Sequence, residues 1–117
     1  MKNLFLGLGL ALVFSSSAVF AMGEEITCTI QYNKSKQTLK QKCTKYTLDT
    51  KGSFFLIGYM NSPLGEDQQI DIKREKNGKF SLLTQTIHGE EYDLGGISKD
   101  PKKAGCYKNE YYNICLK

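Results

Sequence analysis

His88 is the single imidazole of this 117-residue chain, set before Gly89 and beside Glu90 and Glu91. Nucleophilic catalysis needs a nucleophile, a base and a group that orients the base. One imidazole at a turn supplies only the base, so His88 reads as an ordinary loop residue. Two carboxylate pairs, Glu66/Asp67 and Glu90/Glu91, are the residue types of glycoside hydrolysis. Neighbours on a strand point to opposite faces, so neither pair is expected to converge on one substrate. Both read as solvated loop charge. The expectation is a chain with no catalytic residue and no cofactor.

The cysteines are the stronger chemical signal. Cys28, Cys43, Cys106 and Cys115 lack a C-x-x-C pair, and one histidine is too few to complete an ordinary zinc site. An even cysteine count in an exported chain points to disulfides instead of a metal. Of the three connectivities, local patterning favours Cys28–Cys43 and Cys106–Cys115. In residues 26–32, Ile26, Cys28, Ile30 and Tyr32 share one face, which is period-two strand patterning. A polar turn at Asn33–Gln37 leads to a return strand carrying Leu39 and Cys43. Folding about Ser35–Lys36 would set Tyr32 opposite Leu39 and Cys28 opposite Cys43. Cross-strand Cβ atoms lie ~4.5–5.5 Å apart, close to what a disulfide needs. The segment 106–115 turns around Asn109–Tyr111 by the same logic.

Two other residue types could form a contact surface. Lys34, Lys36, Lys40, Lys42, Lys45 and Lys51 are accompanied by one acid, Asp49. Lys40 and Lys42 share the outer face of the first hairpin. They would guard a sheet edge against aggregation, or meet an acidic protein, anionic lipid or polysaccharide. Tyr107, Tyr111 and Tyr112 gather near Lys108 on the last hairpin. They would form either a binding surface or part of a core that lacks Trp.

The elements that must position these groups follow a leader. Lys2 begins it, Leu4 to Phe14 is an apolar run, and Ser15 to Ala21 is rich in small residues. Val19 and Ala21 match a signal-peptidase site, with Ala18 as an alternative, which predicts a signal peptide over 1–21 and one domain over 22–117. The apolar run is too short to cross ~30 Å of hydrocarbon, so no transmembrane segment is expected after cleavage. The 16 Lys and Arg against 12 Asp and Glu give +4, near +3 once Lys2 is removed. That excess is too mild and too scattered for a nucleic-acid binder. A periplasmic or secreted bacterial location is expected.

Within the domain, 53–60 is apolar on both faces and reads as a central strand covered on two sides. Gly58 marks a bulge or a close backbone approach. Ile70–Glu75 and Phe80–Ile87 flank Asn77-Gly78, a type I′ hairpin signal. That register puts Ile72 opposite Leu83 and places Ile70, Ile72, Leu83 and Ile87 on one face. Glu90 to Leu94 is a further short strand broken by Gly95-Gly96. No segment of the domain has a helical apolar period. The predicted fold is all-β, a small antiparallel sandwich or barrel of six to eight short strands stapled by two disulfides.

Thr27-Cys28-Thr29 with Cys43 and Gly52-Ser53-Phe54, then Leu94-Gly95-Gly96-Ile97 and Ala104 to Glu110 with Ile114-Cys115, carry a resemblance. They resemble a group of uncharacterised small exported two-disulfide β-proteins of bacteria. That group usually has Trp where Tyr107 stands. The resemblance implies the stapled β-domain and no activity. The functional expectation is a non-enzymatic binding or inhibitory protein, of immunity-protein or enzyme-inhibitor type, acting on another envelope or secreted protein. The alternative is an envelope accessory protein holding anionic lipid or glycan through the Lys-rich hairpin. A hydrolase would need His88, Glu90 and a second carboxylate in one pocket. The contact residues expected are Lys40, Lys42, Tyr107, Lys108, Tyr111 and Tyr112.

Overall fold

The computed structural model describes residues 23–117; the predicted signal peptide lies outside the described residues. Alternating side chains build eight strands: β1 Glu24–Tyr32, β2 Gln37–Thr47, β3 Phe54–Gly58, β4 Asp67–Arg74, β5 Phe80–Thr86, β6 Glu91–Lys99, β7 Cys106–Lys108 and β8 Tyr112–Leu116. Each pairs antiparallel with the next, and β8 returns to β1, closing an up-and-down barrel. A closed barrel removes the free strand edges on which open sheets aggregate. The interior is filled by Ile30, Leu56, Ile70, Ile72, Leu82 and Ile114, all fully buried. Among the described residues, no helix is long and apolar enough to cross a membrane.

Both predicted disulfides are present, and they sit on opposite sides of the barrel wall. Cys28 and Cys43 are fully buried within the barrel, with Cα atoms 5.8 Å apart. Cys106 and Cys115 face each other across β7 and β8, alternating with the inward Tyr107 and Ile114. The first hairpin differs from its expected register by two residues. Tyr32 pairs with Gln37 and Cys28 with Gln41, so the inner disulfide runs diagonally across the ladder. The cause is a tighter turn. Lys36 takes φ 64° and its N–H bonds the Tyr32 carbonyl at 2.8 Å, closing a four-residue loop.

The β4–β5 hairpin differs by one residue, which matters more. Lys76, Asn77 and Gly78 form a three-residue loop, with Gly78 alone at positive φ (84°) and Glu75 and Lys79 closing it. This is a turn with a following left-handed glycine, not the two-residue type I′ turn. Ile72 therefore faces Leu82, and Ile70 faces Thr84. Leu82 is the buried leucine, whereas Leu83 points outward and Ile87 is exposed.

Three further expectations are corrected. β3 alternates, with Phe54 and Leu56 inside and Phe55 on the outer wall, stacked on Tyr46. The Gly95-Gly96 pair does not break β6. Gly95, at φ 78°, forms a bulge in its pairing with β5 and the strand runs on to Lys99. Lys40 and Lys42 guard no edge, because β2 is paired on both sides by β1 and β3. Gly58 does mark a close approach: a Cβ there would lie 2.0 Å from the Ser62 carbonyl oxygen.

Candidate functional site

Up-and-down topology sends alternate loops to opposite ends of the barrel. The β2–β3, β4–β5 and β6–β7 loops share one end, which is plugged by aromatic rings. Tyr107 makes edge-to-face contacts with Phe54 and Phe80, at centroid distances of 5.5 and 5.8 Å. Arg74 and Lys99 lie over Phe80, and Lys45 over Phe54. The other four loops frame an open mouth, a cavity of about 540 Å³. Tyr32, Asp67, Thr84 and Tyr112 reach its inner part, and Lys34, Glu66, Tyr92, Leu94 and Tyr111 stand around them.

A buried carboxylate organises the inner part of this mouth. Asp67 is only 3% exposed. Its Oδ2 accepts a hydrogen bond from the Tyr112 hydroxyl at 2.6 Å and lies 3.2 Å from that of Tyr32. The single Tyr32 proton is shared, because the same hydroxyl donates to the Leu64 carbonyl at 2.7 Å. Leu64 and Asp67 exchange both backbone hydrogen bonds, closing a tight turn over Gly65-Glu66. Gly65 takes φ 66°, and a Cβ on it would stand 2.5 Å from the Tyr32 hydroxyl. Glycine therefore answers both the backbone and the space that the tyrosine needs.

Burial raises the Asp67 pKa above the usual carboxylate range, the two tyrosine hydroxyls pull it back, and the Glu66 charge adds to the rise. Tyr32 and Tyr112 are both pushed far up, first by burial, then by the charge and hydrogen bonding of Asp67. Phenols held this firmly in the protonated form are donors, not nucleophiles or bases. The arrangement can orient a ligand.

The outer part of the mouth is braced in turn. Asn109 Oδ1 accepts from the backbone N–H groups of Tyr111 and Tyr112, both at 2.8 Å, and its Nδ2 donates to the Gly96 carbonyl at 3.1 Å. Asn33 binds the same loop through its side chain to Asn109 and its N–H to the Tyr111 carbonyl. Tyr111 is thereby held at the lip, and Tyr92 is exposed on β6 across the opening.

The sequence-predicted contact residues are dispersed. Lys40 and Lys42 are exposed on the outer wall, and Lys42 lies 5.4 Å from the centre of the Tyr59 ring. Lys108 is also exposed and reaches Asp100 at 3.9 Å. Tyr107 and Tyr112 do not lie on an outer face, because they alternate inward with Ile114. Tyr107 plugs the closed end and Tyr112 serves the mouth. Of the tyrosine trio, only Tyr111 is exposed.

Sequence reasoning missed the central group. Glu66 and Asp67 both line the mouth, because Glu66 belongs to the turn and the strand rule starts at Asp67. Asp67 is not solvated loop charge. His88 and Glu90 lie at the β5–β6 turn and are not part of the mouth lining. Among the described residues, no group of three or more His, Cys, Asp or Glu is placed to hold a metal ion. Comparison with protein-family models, curated proteins and solved structures finds no match to this chain.

Proposed function

We propose that the chain is exported, to the periplasm or beyond, and works there as a non-enzymatic binding module of the inhibitor or immunity-protein kind. Its partner is another envelope or secreted protein, engaged at the open end of the barrel. One observation carries the reading: a preformed concavity with a hydrogen-bonded interior and exposed aromatic groups at its lip. Tyr32, Tyr112 and Asp67 hold one another inside, while Asn33 and Asn109 hold the loop that presents Tyr111. Groups ordered before binding lose little entropy on binding. Exposed tyrosines beside a concavity are the residue type that anchors protein interfaces. Export is supported by the leader-like first 21 residues and by the two disulfides, which persist in oxidising compartments.

A second reading keeps a specific observation behind it: Lys40 and Lys42 stand exposed side by side on the barrel wall. They suit an anionic lipid or glycan, whose binding would weaken steeply with salt. Capture of partners on the immobilised protein separates the two. A Tyr92→Ala/Tyr111→Ala variant should lose a partner that Lys40→Glu/Lys42→Glu retains. Retention by the tyrosine variant with loss from the lysine variant would reverse the assignment.

A further inference from the structure

The net positive charge hides a strong polarity along the barrel. The mouth-end loops and the strand residues joining them carry Glu66, Asp67, Glu90, Glu91 and Glu110 against Lys34, Lys36 and Lys108. The closed-end loops, counted in the same way, carry Lys51, Arg74, Lys76, Lys79, Lys99, Lys102 and Lys103 against Asp49, Glu75 and Asp100. The basic excess read from composition belongs to the plugged end. The open end is acidic.

Inside the mouth, the chemistry has the same sign. Among the described residues, Asp67 Oδ2 takes both tyrosine contacts and Oδ1 accepts no hydrogen bond, although the residue is buried and lines the cavity. A buried carboxylate oxygen without a donor calls for one. Tyr32, Tyr92, Tyr111 and Tyr112 contribute rings to the same lining, and ring faces attract cations. An anionic ligand would instead meet Asp67 and Glu66, which outnumber Lys34, the one cation of the lining.

We infer that the mouth receives a cationic side chain, the guanidinium of an arginine or the ammonium of a lysine, projecting from the surface of the partner protein. The inference rests on the binding role proposed above and names the chemistry of its contact. A donor head would reach Asp67 Oδ1, its alkyl stem would pass Leu94, and the rings of Tyr92 and Tyr111 would flank it. A protein-borne cation fits better than a free one because the lip stays open to a larger surface. Tyr92 and Tyr111 are 48% and 42% exposed, and Met60, on the β3–β4 loop at the same end, is 83% exposed. The partner's contacting surface should accordingly be basic, the reverse of what the +4 total suggests.

The test is an NMR titration of the disulfide-bonded protein, followed on its tyrosine ring resonances. The probes are short peptides that differ only in one central residue: arginine, its neutral isostere citrulline, lysine, or glutamate. Arginine and lysine peptides should shift Tyr32, Tyr92, Tyr111 and Tyr112 and bind about tenfold more tightly than the citrulline peptide. Glu66→Gln, a change of a loop side chain outside the core, should weaken arginine and leave citrulline unchanged. Equal binding of citrulline and arginine at the mouth would overturn the cation preference while leaving the binding role intact. So would tighter binding of glutamate. If no peptide shifts the mouth tyrosines and Tyr92→Ala/Tyr111→Ala also leaves partner capture intact, both readings fall.

Discussion

Removing one hydroxyl, by Tyr112→Phe, tests whether the buried carboxylate is held as the structure indicates. The Tyr112 hydroxyl donates to Asp67 Oδ2 at 2.6 Å, whereas Tyr32 stands 3.2 Å away and divides its proton with Leu64. The edge-to-face contact of the two rings, 5.1 Å between centroids, survives in phenylalanine. What is lost is a hydrogen bond to a charged group, worth about 1.5–3 kcal/mol. A loss near 2 kcal/mol lowers the melting temperature of a domain this size by roughly 10 °C. The loss should depend on pH. Asp67 has a folded pKa above its unfolded value, so the folded state binds more protons. Stability therefore falls as pH rises from about 4 through the folded pKa. Without the Tyr112 donor that pKa rises further and the fall extends to higher pH. Below the window the carboxyl is neutral in both states, and the cost of the substitution shrinks toward about 1 kcal/mol. Urea unfolding by circular dichroism between pH 3 and 8, combined with Asp67→Asn in a double-mutant cycle, measures this. A loss under about 0.5 kcal/mol at pH 7, or effects that simply add with Asp67→Asn, would refute the reasoning.

The β4–β5 register can be checked by paired substitutions. Leu82→Ala empties a core position and should cost about 2–5 kcal/mol, whereas the outward Leu83→Ala should cost under about 1 kcal/mol; chemical denaturation reads both. The reverse order would restore the two-residue turn. Replacing Cys28 and Cys43 by serine should destabilise more than the same change at Cys106 and Cys115. The separations of 15 and 9 residues give entropic losses of about 3.0 and 2.6 kcal/mol in the chain-entropy model. The inner pair additionally places two hydroxyls at fully buried positions. Equal melting temperatures of the two double variants would contradict the inside–outside assignment.

The two hairpin registers show which errors a strand pattern absorbs. In β1–β2 the expected turn was too long by two residues, and an even slip leaves every side chain on its face. Cys28, Ile30 and Cys43 still point inward, and the disulfide forms diagonally. Nothing around Lys36 signalled the left-handed residue that shortens the loop, since it is neither glycine nor asparagine. In β4–β5 the slip is odd, and it exchanges Leu83 for Leu82. Asn77-Gly78 correctly announced a hairpin. The adjacent leucines, however, offered either face to the core, and only pairing with β4 distinguishes them.

Those failures are local, whereas the mouth was illegible for a different reason. Asp67 receives its hydroxyl partners from 35 and 45 residues away. Their convergence depends on β8 closing against β1, which pairs Tyr32 directly with Tyr112. Each tyrosine was individually assignable to an inward face from Ile30 and Ile114, two positions away on their strands. No periodicity states that those two faces meet over a turn at Gly65. The charge distribution was hidden by the same step. From the β3–β4 loop onward, acidic and basic loops alternate along the chain, and an up-and-down barrel sorts alternate loops to opposite ends. A sum taken over the whole sequence cancels that separation, and with it the electrostatic sign of the surface at which a partner would dock.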